Sequence, residues 1–150
     1  MIKLDTKKFN LVDTKTSHDH NYVHRIVVKR VIDENPDLSY LEQEYHDVTE
    51  EENEKYKQQD KEELDAYNND EWSMLGVYAT CDIYVPVGSK VSRIIPDVRS
   101  GGIWGIHSRT EEDEIADEEA GQIDDLKELL EKLNVKVDDN VEIVYEREAY

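Results

Sequence analysis

The stretch 100–134 constrains the fold more than any other, because it joins a short apolar strand to a long helix that follows it directly. Residues 103–106 form the predicted strand. Ser108, with Glu111 three residues later, has the capping-box spacing of a helix start, and Thr110 is a second candidate N-cap. We therefore expect a helix that begins within a few residues of the end of a strand.

This predicted helix has one apolar face and one acidic face. Its apolar residues recur at spacings of three, four and seven; they are Ile115, Ile123, Leu126, Leu129, Leu130 and Leu133. The carboxylates of residues 111–114 lie at the positive end of the helix dipole and stabilise it there. Gly121 interrupts the apolar face and marks a point where the helix could kink or split. Asn134 is expected to end the helix as its C′ residue.

Strands are predicted where apolar residues alternate with a period of two. Residues 22–32 are rich in β-branched side chains, and residues 72–85 carry the strongest alternation in the chain. One face of the latter segment holds Leu75, Val77, Ala79, Cys81, Ile83 and Val85. The other face holds Trp72, Met74, Tyr78 and Tyr84, so both faces are expected to be at least partly covered. Shorter strands are predicted at 91–95 and 141–147.

A second helix is predicted to start at Thr49, because Glu52 follows three residues later in a capping-box pattern. The polar residues 68–70 end it. Its apolar face is thin and contains Tyr56, Leu64, Ala66 and Tyr67. Such a helix packs through a narrow edge and leaves most of its surface in water.

The order of these elements predicts an α+β fold. We expect a mostly antiparallel sheet of about four to five strands with two acidic helices packed on it. The 150 residues are sufficient for one domain with its own core, and no internal repeat or second domain is visible. Residues 1–20 are mixed and polar, and they are interpreted as a flexible lead-in to the single domain 1–150.

The net charge of −19 limits the possible partners. Direct binding of nucleic acid needs clustered Lys and Arg, and anionic membranes attract the same residues, so neither is expected as a partner. The N-terminal ten residues contain no apolar core of a signal peptide, and no run approaches a transmembrane length. One cysteine allows no intramolecular disulfide. We therefore expect a cytoplasmic protein.

The charge is distributed unevenly along the chain. Residues 33–71 carry sixteen acids against three lysines, and residues 111–131 carry eleven acids against one lysine. These two predicted helical segments thus carry net charges of −13 and −10, whereas residues 1–32 and 72–110 are +4 and +2. A single acidic helix is usually just a solvated face. Two such segments on one small domain make a role in binding more credible.

Residues capable of catalysis or metal binding form no familiar motif. The sequence lacks a P-loop, a G-x-G-x-x-G loop, a nucleophile elbow and EF-hand spacing, and no metal or cofactor is predicted. Cys81 lies on the apolar face of a strand and is interpreted as an inert core thiol. His18, His20 and His24 form the densest histidine cluster, with a spacing that matches no known motif. Trp72 and Trp104 are expected to pack in the core.

Three segments resemble a group of small proteins encoded by phages and mobile elements. They are ENPDLSYLEQEY, WSMLGVYATCDIYVP and SGGIWGIHSRTEEDEIADEE, and the resemblance covers Glu34 to Leu133. The shared skeleton is an NPDxSYLEQ-like segment, a helix, an alternating strand and a WGI segment that continues into an acidic helix. The group supplies no activity or catalytic residues to transfer. The resemblance implies a mobile-element origin and a target in host machinery.

The leading functional hypothesis is a non-enzymatic, phage-type anti-defence inhibitor. It would act as an acidic DNA mimic that occupies the nucleic-acid groove of a host CRISPR effector or restriction enzyme, since a groove that binds phosphates also attracts carboxylates fixed on a helix. The predicted partner-binding residues are Glu50, Glu51, Glu52, Glu54, Glu62, Glu63 and Asp65 on one helix, and Glu111, Glu112, Asp113, Glu114, Asp117, Glu118 and Glu119 on the other.

Two alternatives come from other functional classes. One is a protein-binding module without mimicry, such as an antitoxin, an immunity protein or a virion accessory protein, whose contacts are apolar or aromatic. The other is an enzyme with an unfamiliar carboxylate site. Salt dependence separates the first alternative from mimicry, because clustered charge pairs are screened by salt and apolar contacts are not.

Overall fold

The computed structural model describes residues 11–13 and 18–150, so the predicted lead-in 1–20 lies mostly outside the described residues. The described residues fold into two helices and a six-stranded sheet, which confirms the α+β class with one or two strands more than expected. In chain order the elements are β1 Leu11–Asp13, β2 Tyr22–Asp33, a 3-10 helix Ser39–Glu42, α1 Glu50–Asn68, β3 Met74–Pro86, β4 Val91–Arg99, β5 Ile103–His107, α2 Glu112–Lys132 and β6 Lys136–Arg147.

The sheet has the strand order β1-β4-β3-β2-β6, and β5 also pairs with β3. All pairings are antiparallel except that of β2 with β6. β4 and β5 follow one another along the same edge of β3, because β4 pairs with residues 80–86 and β5 with residues 74–77. The predicted closing strand thus lies beside β2, at one edge of the sheet.

The core lies between α2 and one face of the sheet. The predicted apolar face of β3 is confirmed, since Leu75, Val77 and Ala79 are completely buried. β2 adds apolar side chains to the same cluster, and α2 adds Ile115, Leu126 and Leu130. Val23, Ile26 and Val28 are the fully buried contributions of β2. Burial of this kind stabilises by about 1.5–3 kcal/mol for each large side chain.

The start of α2 differs from the prediction, and its end agrees with it. Glu111 is the N-cap and no side chain caps the helix. Ser108 instead accepts a hydrogen bond at Oγ from the backbone N–H of Ser73, at 2.9 Å, so it fixes the end of β5. Asn134 has a φ of 56°, and the N–H of Val135 reaches back to the carbonyl of Leu130. This is a Schellman ending. The helix runs through Gly121 without a break.

α1 begins and ends as the sequence predicts. Thr49 accepts a hydrogen bond at Oγ1 from the backbone N–H of Glu52, at 3.1 Å. At the other end, Asp70 adopts a left-handed conformation and the N–H of Glu71 bonds to the carbonyl of Ala66. No residue of α1 is buried. The helix is therefore well capped but weakly packed.

A separate small cluster attaches α1 to the rest of the domain. Leu41, Trp72 and Met74 are buried in it, and Leu64 and Tyr67 of α1 pack against them. Successive residues of a strand point to opposite faces. Since Met74 belongs to this cluster and the next residue of β3 belongs to the main core, α1 and α2 lie on opposite sides of the sheet. No helix in the described residues combines the length and apolar character that spanning a bilayer requires.

Candidate functional site

α2 presents an exposed acidic face on its side of the sheet. Because Ile115, Leu126 and Leu130 are buried against the sheet, the opposite face of the helix is exposed to solvent. Of the seven partner-binding residues predicted here, six are exposed: Glu111, Glu112, Asp113, Glu114, Asp117 and Glu118. Asp124, Asp125, Glu128 and Glu131 extend the exposed acidic surface along the helix. We call this set, with the six predicted residues, the α2 acidic face.

Few basic groups neutralise the α2 acidic face. In the described part of the chain, the salt bridges of α2 involve Glu112, Glu119 and Glu128. The helix sequence contains ten carboxylates and two lysines over 21 residues, a length of about 31 Å at 1.5 Å per residue. Most of these carboxylates therefore project into water without a cation beside them.

Glu119 is the exception, and its assignment to the partner-binding surface is wrong. Its side chain is only 1% exposed. It accepts a hydrogen bond from Arg30 Nη2 at 2.9 Å and two from Arg147, from Nε at 3.0 Å and from Nη2 at 2.8 Å. Burial raises the pKa of Glu119, but the hydrogen bonds from Arg147 and Arg30 outweigh that effect and hold its pKa below the ordinary value. This carboxylate joins α2 to β2 and β6.

Arg30 connects the buried carboxylate to the surface. Its side chain is 3% exposed, and its two terminal nitrogens donate to both oxygens of Glu112 at 2.9 Å. Tyr150 Oη lies 3.3 Å from Nη1 of the same guanidinium. The hydrogen bond from Arg30 lowers the pKa of the Glu112 carboxyl group. Although Glu112 is exposed, much of its charge is already compensated and it is a weaker candidate for partner binding than its neighbours.

The acidic face of α1 is sparser. Six of its seven predicted residues are exposed: Glu50, Glu51, Glu52, Glu54, Glu62 and Asp65. Glu63 is half-buried and accepts hydrogen bonds from Arg109 and from His107 Nε2, each at 3.4 Å. The N–H of Arg109 donates to His107 Nδ1 at 3.0 Å, so Nε2 carries the proton. Glu63 therefore helps to hold α1 against β5.

The two acidic faces do not form one surface. α1 contains eight carboxylates and three lysines in 19 residues, which is about 28 Å of helix. Its net charge per unit length is lower than that of α2. Because the helices lie on opposite sides of the sheet, a single concave partner would contact one acidic face at a time. The two sets of predicted partner-binding residues are therefore separate in space.

An aromatic surface on the sheet face opposite α2 was not predicted. Trp104 is 52% exposed, so its expected core position is wrong, whereas Trp72 is buried as expected. The Trp104 indole lies on Gly76, where an added Cβ would come within 2.1 Å of the ring. The Arg99 guanidinium lies 4.9 Å from the centre of the Tyr78 ring, a cation–π contact next to this indole. The sequence feature that could have indicated this surface is Gly76, which pairs with Trp104 and leaves room for the indole on the sheet.

Cys81 is the only thiol, and its position agrees with an inert core residue. The side chain is buried within the main core. Burial raises its pKa to about 12, so little thiolate exists at neutral pH. A nucleophilic cysteine needs the opposite shift, toward a lower pKa. Catalysis through this residue has no support in its surroundings.

Comparisons with known proteins do not place the chain in a family. No family model, no curated protein and no solved structure matches it.

Proposed function

We propose that this protein is a non-enzymatic inhibitor that uses the α2 acidic face to occupy the DNA-binding groove of a host defence nuclease. The observation that carries the proposal is the row of exposed carboxylates along about 31 Å of a helix that is anchored to the core over its whole length. A mimic must present charge at fixed positions, since flexible acidic side chains on a mobile segment lose entropy on binding.

The charge density of α2 is comparable to that of one DNA strand. One strand of B-DNA carries a phosphate about every 3.4 Å along its axis. The ten carboxylates and two lysines of α2 give a net charge of −8, or about one charge every 4 Å. After Glu119 is removed from this sum as a buried residue, the spacing is still within a factor of two of the nucleic acid. A groove lined with Lys and Arg would attract this face at long range.

The two acidic helices have different roles in this proposal. α2 is the primary mimic, because its charged face is denser and its apolar face packs into the main core. α1 carries fewer charges and lies on the other side of the sheet, so it contacts the same partner only if that partner wraps around the domain. Within the predicted set, Glu114, Asp117 and Glu118 are the strongest candidates. Their carboxylates are exposed and make no salt bridge in the described residues.

The target class rests on the resemblance to phage and mobile-element proteins. Such elements face CRISPR effectors and restriction enzymes, both of which bind duplex DNA through basic grooves. An inhibitor of these enzymes acts in the host cytosol. The proposed partner is therefore a nucleic-acid-binding defence protein.

A protein-binding module without mimicry is the second candidate, and the aromatic surface around Trp104 favours it. The half-exposed Trp104 indole lies beside the Tyr78 ring, and Trp104 belongs to β5 at an edge of the sheet. Exposed Trp, Tyr and Arg side chains are the residue types that most often dominate binding energy at protein interfaces. An antitoxin, immunity or virion accessory protein would use such a surface in place of the acidic helix.

A competition pull-down from host lysate separates the two candidates. The tagged protein is incubated with lysate at about 50 and 300 mM salt, with and without duplex DNA, and the partners are identified by mass spectrometry. Mimicry predicts a DNA-binding partner that is released by duplex DNA and by high salt, because charge pairs are screened. The same partner should be lost with the triple variant Glu114→Lys, Asp117→Lys, Glu118→Lys.

Two matched variants complete the design. Glu50→Lys, Glu51→Lys, Glu54→Lys reverses the same number of charges on α1 and should leave that partner bound. Trp104→Ala removes the aromatic surface and should also leave it bound. If the α2 variant stays folded by circular dichroism and still captures the partner, while Trp104→Ala loses it, mimicry is wrong and the binding-module hypothesis takes its place.

A further inference from the structure

The histidine cluster at the start of β2 has no role in the proposed function. His18, His20 and His24 line one open concavity of about 560 Å³ together with Asp138, Asp139 and Glu142 of β6. The sequence places the three histidines within seven residues, but the acidic side chains come from more than a hundred residues later. The fold thus brings imidazoles and carboxylates to one place, which the histidine spacing alone does not predict.

An irregularity in β6 directs these carboxylates toward the histidines. β2 and β6 are paired in parallel, with Val23 opposite Val137 and Arg25 opposite Glu142. Between these pairs β2 uses one residue, whereas β6 uses residues 138–141. The extra residues leave the ladder as a bulge. Bulges change the direction of side chains and occur often next to functional sites.

His18 is held in place beside the bulge. Its ring stacks on Tyr22, with ring centres 3.5 Å apart and planes 7° from parallel. Its Nε2 lies 3.8 Å from Asp138 Oδ1, and both side chains are largely buried, at 16% and 21% exposed. The stacking fixes the plane of the imidazole, so the nitrogen that faces the carboxylate has a defined direction.

His20 is oriented by a neighbouring carboxylate. Its Nδ1 lies 2.7 Å from Asp19 Oδ1. A carboxylate oxygen accepts hydrogen bonds, so the imidazole Nδ1–H is the donor in this contact. Nε2 of a neutral His20 therefore carries the lone pair. A histidine that donates one N–H to a carboxylate and offers the other nitrogen is the usual arrangement of a metal ligand.

The separation of the two imidazoles suits a shared ion. The ring centres of His18 and His20 are 5.6 Å apart at an angle of 77°. Two imidazoles bound to one tetrahedral zinc at about 2.0–2.1 Å place their ring centres about 5 Å apart. Asp19, Asp138, Asp139 and Glu142 outnumber the nearby cations Lys136 and Arg25, which gives the concavity a negative charge that favours a divalent ion.

We propose that His18, His20 and Asp138 bind a divalent transition-metal ion of the zinc type. Among residues 11–13 and 18–150, no three possible ligands already converge on one point, so binding must draw the His20 side chain toward His18 and Asp138. Imidazole nitrogens select zinc-type ions over Mg²⁺ and Ca²⁺, which prefer oxygen ligands. Asp19 is a positioning residue that fixes the tautomer of His20.

Isothermal titration calorimetry of the full chain with ZnCl₂ at pH 7.5 tests this site. We expect one saturable site per chain for Zn²⁺ and no comparable heat for MgCl₂. His18→Phe keeps the ring that stacks on Tyr22 and removes the ligand nitrogen, and Asp138→Asn keeps the volume. Each should weaken Zn²⁺ binding by at least about tenfold, and Asp19→Asn by about 10–100-fold, as loss of an orienting carboxylate does.

His46→Ala is the matched control, because His46 is an exposed histidine far along the chain, before α1, and should leave the affinity unchanged. Circular dichroism confirms that each variant is folded. Two results would overturn the proposal. One is the absence of saturable Zn²⁺ binding; the other is unchanged binding in folded His18→Phe and Asp138→Asn, which would mean that the ion is attracted only by the general negative charge of the surface.

Discussion

Replacing Glu119 with glutamine tests whether the buried carboxylate is essential for holding α2 on the sheet. Glutamine keeps the volume of the side chain but removes the charge that faces Arg30 and Arg147. Removing one member of a buried ion pair costs about 3–5 kcal/mol, because the remaining charge loses its partner. Arg30 keeps its two hydrogen bonds to Glu112. We therefore expect a loss near the lower end of that range, about 3 kcal/mol.

Urea unfolding followed by circular dichroism measures this loss. In a thermal unfolding experiment on a chain of 150 residues, a loss of about 3 kcal/mol should also lower the melting temperature by about 6–12 °C. The matched control is Glu118→Gln, the adjacent and exposed residue, which should change the free energy of unfolding by less than about 0.5 kcal/mol. A loss below about 1 kcal/mol for Glu119→Gln would refute the reasoning, since the arginines would then be satisfied without the carboxylate.

The same variant should flatten the acid limb of the stability curve. The pKa of Glu119 in the folded protein lies below its ordinary value of 4.5. A carboxyl group with a lowered folded pKa stabilises the protein fully above its unfolded pKa and loses this contribution as the pH falls through the folded pKa. The parent should therefore lose stability more steeply than Glu119→Gln below about pH 4.5. Parallel curves in urea titrations at pH 3–6 would contradict this expectation.

Three further predictions concern the core and the sheet. Leu130→Ala should lower the free energy of unfolding by about 2–5 kcal/mol, because Leu130 is completely buried; a change near zero in urea unfolding would remove this helix face from the core. Cys81 should react with a thiol reagent only after denaturation, as a buried thiol of raised pKa does; rapid labelling of the native protein would contradict its position. Gly76→Ala should displace the Trp104 indole, which contacts the site of the new methyl group; an unchanged tryptophan fluorescence spectrum would argue against this contact.

Local patterns in the sequence were sufficient for both helices, for five of the six strands and for most of the main core. The period of two in β3 identified the buried face, since Leu75 and Val77 alternate with side chains on the opposite surface. Thr49 and Asn134 marked helix ends because capping depends on residues within one turn. These features involve neighbours in the chain, and a sequence reports neighbours directly.

The features that were predicted wrongly depend on contacts between residues that are distant in the chain. Glu119 looks like any other acid of α2, and only the arrival of Arg30 and Arg147 from β2 and β6 buries it. Ser108 has the spacing of a helix N-cap, but its hydroxyl oxygen instead accepts a hydrogen bond from the backbone N–H of Ser73. The sequence analysis assigned partner-binding residues to both acidic helices without any information on their relative positions. The two faces are separate because the helices pack on opposite sides of β3, and the composition of a helix does not predict the side on which it packs.

The attachment of α1 through a small satellite cluster has a consequence for how the domain opens. Leu41, Trp72 and Met74 are the buried apolar residues of that cluster, and α1 itself buries none. Native proteins open in cooperative units whose free energies reflect the contacts that each unit must break. We therefore expect α1 to detach and refold while the sheet and α2 remain intact. Amide hydrogens of α1 should exchange with solvent through this partial opening, well before those of α2, which exchange only when the whole domain unfolds.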